Sequence, residues 1–175
     1  LATSLGSVLT LSLAGRIIGR LGARRASVWA GWGFCLALGT SLLLPGLWSL
    51  LPVLILFGAS ESVFDVAINA EGTVLETVGR RAVMSGFHGM FSLGSMFGAG
   101  AAALMLKAAI AAPVQLALVG SVVAASVLLS SRGMLDAHPG ADTAQAHFVW
   151  PHGTLLVIGL LICVGMLAEG VMYSW

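Results

Sequence analysis

The chain has 175 residues; only 8 are Lys or Arg, 7 are Asp or Glu, and 58% are hydrophobic, with a mean hydropathy of +1.02. A soluble domain carries charge on about a quarter of its residues, so a soluble globular enzyme is all but excluded, and disorder fails on the same grounds. A net charge of +1 is too small for a nucleic-acid footprint, and an integral membrane protein remains.

The charges divide the chain into spans. Residues 26–60, 82–106, 108–131 and 143–168 hold no Asp, Glu, Lys or Arg. A helical span of a bilayer needs about 20 apolar residues. The last three gaps fit one helix each, and the first is broken by Pro45-Gly46 and Pro52 into a helix, a turn and the start of another. Strands of a membrane barrel would alternate with period two, which runs such as Leu118 to Ser130 do not. The expected architecture is therefore an all-α polytopic helix bundle with segments near 1–20, 27–45, 49–73, 83–106, 114–131 and 153–175. The stretch 132–152, with Arg132, Asp136, His138, Pro139, Asp142, His147 and His152, is the expected cytoplasmic linker between two units, 1–131 and 153–175. The chain opens at Leu1 and closes at Trp175 inside apolar runs, so it is expected to be a fragment.

Taken in order, the first connection holds Arg20, Arg24 and Arg25, the third Arg80 and Arg81, and Arg132 opens the fifth. The second and fourth carry only Lys107. Basic residues favour the cytoplasmic side, which places connections one, three and five inside; a protein whose N-terminus begins inside would then have one more helix ahead of Leu1. Trp29, Trp32, Trp48 and Trp150 fall near the expected interfaces, where amphipathic rings sit. Gly15-x-x-x-Gly19 and Gly94-x-x-x-Gly98, the latter followed by Ala102, set small residues on one helix face and predict close helix packing there. Cys35 and Cys163 fall mid-span and read as small apolar residues.

The third segment carries the most chemistry. Glu61, Asp65 and Asn69 stand at i, i+4 and i+8, along one helix face. An ionised carboxylate near mid-membrane costs at least ~2.5–3.5 kcal/mol on insertion scales, so this stripe must face a polar cavity or an internal partner. Two carboxylates one turn apart also repel, which suits one of them to exchange a proton. Asp65 and Asn69 lie close to the cytoplasmic end, where a structural hydrogen-bond network is the simpler expectation. His88 follows near the inner end of its helix, either as a packing histidine or as a gate or proton relay. Glu71, Glu76, Arg80 and Arg81 read as a surface charge cluster. Glu169 lies deep in the last segment without a basic neighbour in sequence, and with Glu61 is the better candidate to line a central pathway. The spacing of His138, His147 and His152 fits no compact metal-ligand set. No nucleophile elbow, zinc-protease helix or phosphate-binding loop occurs, so no cofactor is expected and an intramembrane enzyme is disfavoured.

Several of these stretches carry a resemblance. Gly15, Arg20, Gly22, Arg24 and Arg25 resemble the signature between the second and third helices of the major facilitator superfamily, with Gly19 at its acidic position and Ala23 at its first trailing basic position. Phe57 to Gly72, followed by Glu76, Arg80, Arg81 and Met84 to Gly94, resembles a bacterial subgroup of that superfamily related to fucose permeases, and Ala168 to Trp175 resembles the start of its seventh helix. The resemblance implies helices two to seven of a two-bundle fold in a bacterial inner membrane. It implies secondary active transport of a small solute by alternating access, with protons the expected coupled ion and the remaining helices of the same protein as partners. It also implies that the fourth and seventh helices, carrying Glu61 and Glu169, line the cavity. The Gly19 departure removes the acidic residue that latches the two halves in the family. That leaves a non-transporting membrane sensor on a transporter fold as an alternative, beside a drug-type efflux pump.

Overall fold

In the computed structural model, residues 1–135, 152–154, 156–161 and 163–164 are described. Five helices follow one another: α1 (Ala2–Leu21), α2 (Ala23–Ser41), α3 (Leu47–Gly79), α4 (Met84–Lys107) and α5 (Ala112–Ser131). All belong to one compact unit, Leu1–Ala144, and a second unit covers Gln145–Trp175. In the second unit a helix starts after Gly153, whose carbonyl accepts from the Leu156 and Val157 amides. Among the described residues, α1, α3, α4 and α5 are long and apolar enough to cross a membrane. The chain is a polytopic helical membrane bundle.

The charge-free gaps become helices because their residues are apolar and mostly unbranched, and because a backbone in lipid must satisfy its own hydrogen bonds. The ends differ from expectation by four or more residues at three places, one of them the end of the second helix, which stops at Ser41 rather than near 45. The second helix begins at Ala23 rather than near 27, since a single residue, Gly22, turns the chain. Its φ of 80° and ψ of 153° lie in a region that only glycine occupies without strain. Its amide donates to Ile18 O at 2.8 Å and its carbonyl accepts from Ala26 N at 3.1 Å, closing one helix and opening the next. The third helix runs to Gly79 rather than 73, where Arg80 takes up a left-handed φ of 49°. Its 33 residues span about 50 Å at 1.5 Å per residue, well beyond a ~30 Å hydrocarbon layer. Polar Thr73, Glu76 and Thr77 extend it, and both threonines bond back to carbonyls four residues earlier.

Helix α3 is the axis of the bundle. Helices α1 and α2 pack along it, α5 packs on α2, and α4 meets α3 only near its own start. The core is built from small side chains, Ala14, Ala23, Ala26, Ala30, Val63 and Ala67, around Ile18, the one large fully buried residue among those described. Such packing relies on close van der Waals contact, since lipid offers no hydrophobic drive between helices. The closest approach lies between α1 and α3. A Cβ at Gly6 would sit 2.9 Å from the carbonyl carbon of Ile55, and one at Gly58 would sit 2.7 Å from that of Thr3. Ser7 Oγ donates to Gly58 O at 3.0 Å across the same crossing. Among the described residues, no helix packs against the expected small faces at Gly15, Gly94 or Gly98. At Gly15, Gly94 and Gly98 an added Cβ would meet nothing within 4 Å, and α4 has no buried residue.

The bundle gathers its basic connections at one end. Arg24 and Arg25 border the same open cavity as Arg132, and Gly72, His88 and Gly133 border another. The starts of α2 and α4 therefore lie beside the ends of α3 and α5. The start of α1 lies near the end of α2 and the start of α3, where Thr3, Ser41 and Phe57 line a small cavity. The alternation expected from the positive charges is thus present in the arrangement of the helices.

Candidate functional site: an acidic cavity between α3, α4 and α5

An open cavity of about 620 Å³ lies toward the basic end of the bundle, lined by Asp65, Asn69, Glu71 and His88 among apolar residues that include Phe87, Phe91 and Met134. Its volume lies within the roughly 300–1,000 Å³ of small-molecule sites. Helix α3 supplies Asp65 and Asn69 one turn apart. The Asn69 amide nitrogen donates to Asp65 Oδ1 at 3.0 Å and to Asp65 O at 2.9 Å. That pair fixes the carboxylate's orientation and leaves its second oxygen outside this bond.

Helix α4 brings His88 to the cavity, and two contacts set where α4 starts. Glu76 Oε1 accepts from the Val83 and Met84 amides at 2.7 and 2.9 Å, which caps amides that have no partner within their own helix. Gly72 then leaves room for the first turn of α4: a Cβ there would meet Met84 Sδ at 2.6 Å and the Phe87 ring at 3.3 Å. With Phe87 seated on Gly72, His88 and Phe91 border the cavity. Helix α5 and the residues after it close the third side through Ser130, Gly133 and Met134.

Glu71 departs from the surface charge cluster expected of it. It is 5% exposed and accepts a hydrogen bond from the Leu135 amide. It continues the buried stripe of α3, Ser60, Val63, Ala67 and Glu71, so the chain leaving α5 is tied to α3 at the cavity wall. Glu76 likewise serves as a helix cap rather than as a member of an exposed pair, while Arg80 and Arg81 are exposed.

Three of the expected residues, Asp65, Asn69 and His88, thus share one cavity. Glu61 does not join them. It is exposed on α3, about 12 Å along the helix from Asn69 and about 80° around it by helical geometry. Glu169 lies outside the described residues, as do His138, His147 and Trp150. Of the signature residues, Gly22 is buried in its turn, and Gly15, Arg20, Arg24 and Arg25 are exposed. Ala23 is fully buried in the core, which is why a small residue suits a position that the signature gives to a basic one. Cys35 is half-buried and Cys163 exposed, both as free thiols.

The arrangement combines a carboxylate, an imidazole and an amide with an aromatic wall, and such a site can hold a small amphipathic solute or pass a proton. Known proteins similar to the chain include two that are named transporters. Over its whole length the chain is 35% identical to an uncharacterised MFS-type transporter of Yersinia pestis, of which it covers 45%. The likeness supports membership of the major facilitator superfamily. An uncharacterised transporter of Sinorhizobium fredii is 27% identical over the whole chain, with 47% of that protein covered. Membrane protein MosC of Rhizobium meliloti is 33% identical over 53% of the chain and 23% of its own length. The chain spans about half the length of the first two relatives. No family model matches the chain, and no solved structure matches it.

Proposed function

We propose that the chain forms part of a secondary active transporter of the bacterial inner membrane that moves a small polar or amphipathic solute by alternating access, coupled to protons. The observation that carries this reading is the meeting of Asp65, Asn69 and His88 at one cavity. A carboxylate and an imidazole at membrane depth are tolerated where they border water or a partner, and an open cavity offers the first. Transporters of this architecture work by rocking one helix bundle against another around a central site. The remaining helices of the protein supply the facing wall, and Glu61 and Glu169 stand as further pathway carboxylates. The resemblance to fucose-permease relatives makes sugars one substrate class to examine, and the Phe87 and Phe91 wall makes amphipathic cations another.

The test uses the full-length protein. A thermal-shift screen against sugars, acids and amphipathic cations identifies a solute, and proteoliposomes carrying an internal pH indicator then report proton movement when it is added. Asp65→Asn is expected to abolish solute-driven pH change while leaving solute binding. If Asp65→Asn, Glu61→Gln and Glu169→Gln all transport with unchanged pH dependence, the proton role is wrong.

A further inference from the structure

A second cavity, of about 380 Å³, lies between the start of α2 and the end of α5. Its rim carries three arginines: Arg24 and Arg25 from the first turn of α2, and Arg132 at the C-cap of α5. All three are exposed, and none makes an ion pair among the described residues. The first turn of α2 holds no acidic residue and has no side-chain cap, so its amide ends add positive potential beside Arg24 and Arg25. The last carbonyls of α5 oppose this only next to Arg132. Below the arginines the wall turns apolar, through Trp29, 71% exposed, and Leu128, 40% exposed.

This order of chemistry, cations at the bundle's basic end and an aromatic ring with aliphatic side chains one turn deeper, matches an amphiphile with an anionic head. Arginine forks hold phosphate oxygens in bidentate geometry. Basic pockets between membrane helices on the cytoplasmic side hold anionic lipid headgroups. A soluble phosphate would use the arginines and leave Trp29 and Leu128 unmatched. We infer that the cleft between α2 and α5 is a binding site for an anionic phospholipid, its phosphodiester held by Arg24, Arg25 and Arg132 and its acyl chain lying on Trp29 and Leu128. The site lies on different helices from the acidic cavity's Asp65, Asn69 and His88 and does not depend on the transport reading.

Native mass spectrometry of the full-length protein, titrated in detergent with phosphatidylglycerol and in parallel with phosphatidylcholine, tests the site. The expected result is preferential retention of phosphatidylglycerol. Arg24→Gln, Arg25→Gln and Arg132→Gln each lower that affinity about fivefold, and together about 100-fold, from the attraction per basic residue near an anionic surface. Arg80→Gln with Arg81→Gln, at the same end but outside the cleft, leaves it within about twofold. Trp29→Ala weakens both lipids alike, because it removes chain contact and no charge. Should the triple variant fail to fold, the triple lysine variant keeps the charge and loses the fork, and is expected to bind phosphatidylglycerol about tenfold more weakly than the native protein. Equal loss in the Arg80/Arg81 variant would overturn the site in favour of diffuse surface charge. Displacement of the lipid by millimolar inorganic phosphate, with no effect of Trp29→Ala, would assign the arginines to a soluble phosphate and overturn the lipid.

Discussion

Gly58→Ala tests whether the α1–α3 crossing holds the bundle together. The new methyl carbon would sit 2.7 Å from the carbonyl carbon of Thr3, nearer still to its oxygen, and 3.0 Å from Ser7 Oγ, where ordinary contact begins at 3.4 Å. Backbone cannot rotate aside as a flexible side chain can, so α1 and α3 must separate by at least about 0.7 Å at this point. A radial gap of about 0.5–1 Å forfeits roughly a quarter to a half of each van der Waals contact beside it, and overpacking costs about 1–3 kcal/mol in its own right. The Ser7 hydroxyl bond across the crossing stretches with it, worth roughly 0.6 kcal/mol in a membrane. A loss of about 3 kcal/mol is therefore expected, read as a fall in melting temperature on the order of 5–10 °C. The assay is thermal unfolding of the detergent-solubilised full-length protein, followed by monodisperse elution on gel filtration. Gly39→Ala, at an exposed position with nothing within 4 Å, is the control and should stay within about 1 kcal/mol of the native protein. If Gly58→Ala melts within a degree of Gly39→Ala, the close crossing is not what holds α1 to α3, and the placement of the acidic cavity along α3 loses its support.

Gly22→Ala forces a methyl group onto a φ of 80° and ψ of 153° in a buried turn and should cost about 1–3 kcal/mol, measured by the same melting assay. Glu76→Ala removes the acceptor from the Val83 and Met84 amides and should cost about 0.5–2 kcal/mol. It should also speed hydrogen exchange in the first turn of α4, which mass spectrometry of that peptide reads directly. Ser27 Oγ is buried without a hydrogen-bond partner among the described residues, so Ser27→Ala should be neutral or stabilise by about 1 kcal/mol. A destabilised Ser27→Ala protein would mean that this hydroxyl has a partner elsewhere in the full-length chain.

Much of the fold was legible in the charge gaps, because lipid imposes one demand on every spanning residue: an apolar side chain on a self-satisfied backbone. The errors lie where that demand ends. Helix α3 outruns its apolar run because, past the hydrocarbon, water solvates Thr73, Glu76 and Thr77 while the backbone keeps its own hydrogen bonds. Helix α2 starts early because one glycine in a rare conformation replaces the loop that spacing alone predicts. The glycine pattern alone does not say which face packs within this bundle. Repeats of small residues mark faces that permit close approach, but which face is used depends on how two helices cross. Gly6 and Gly58 meet because α1 and α3 cross there, and neither belongs to the Gly15 or Gly94 repeats.

The acidic cavity was half-legible, and the helical period accounts for both halves. Asp65 and Asn69 are one turn apart, so their hydrogen bond follows from spacing. Extending the stripe back to Glu61 overlooked the drift of about 40° that each four-residue step adds. Over two steps it carries Glu61 away from the wall that Asn69 faces. The same arithmetic recovers Glu71. Counting from Ser60 through Val63 and Ala67 reaches Glu71 in steps of three and four, along small residues that mark a packed face, so its burial was written in the pattern while its charge pointed to the surface. What no one-helix pattern supplies is His88. Its place depends on how α4 docks against α3, and that docking rests on the missing side chain at Gly72 and on the Glu76 carboxylate reaching two amides across the turn. Charge and period locate residues on a helix; the rotation of one helix against the next decides which of them meet.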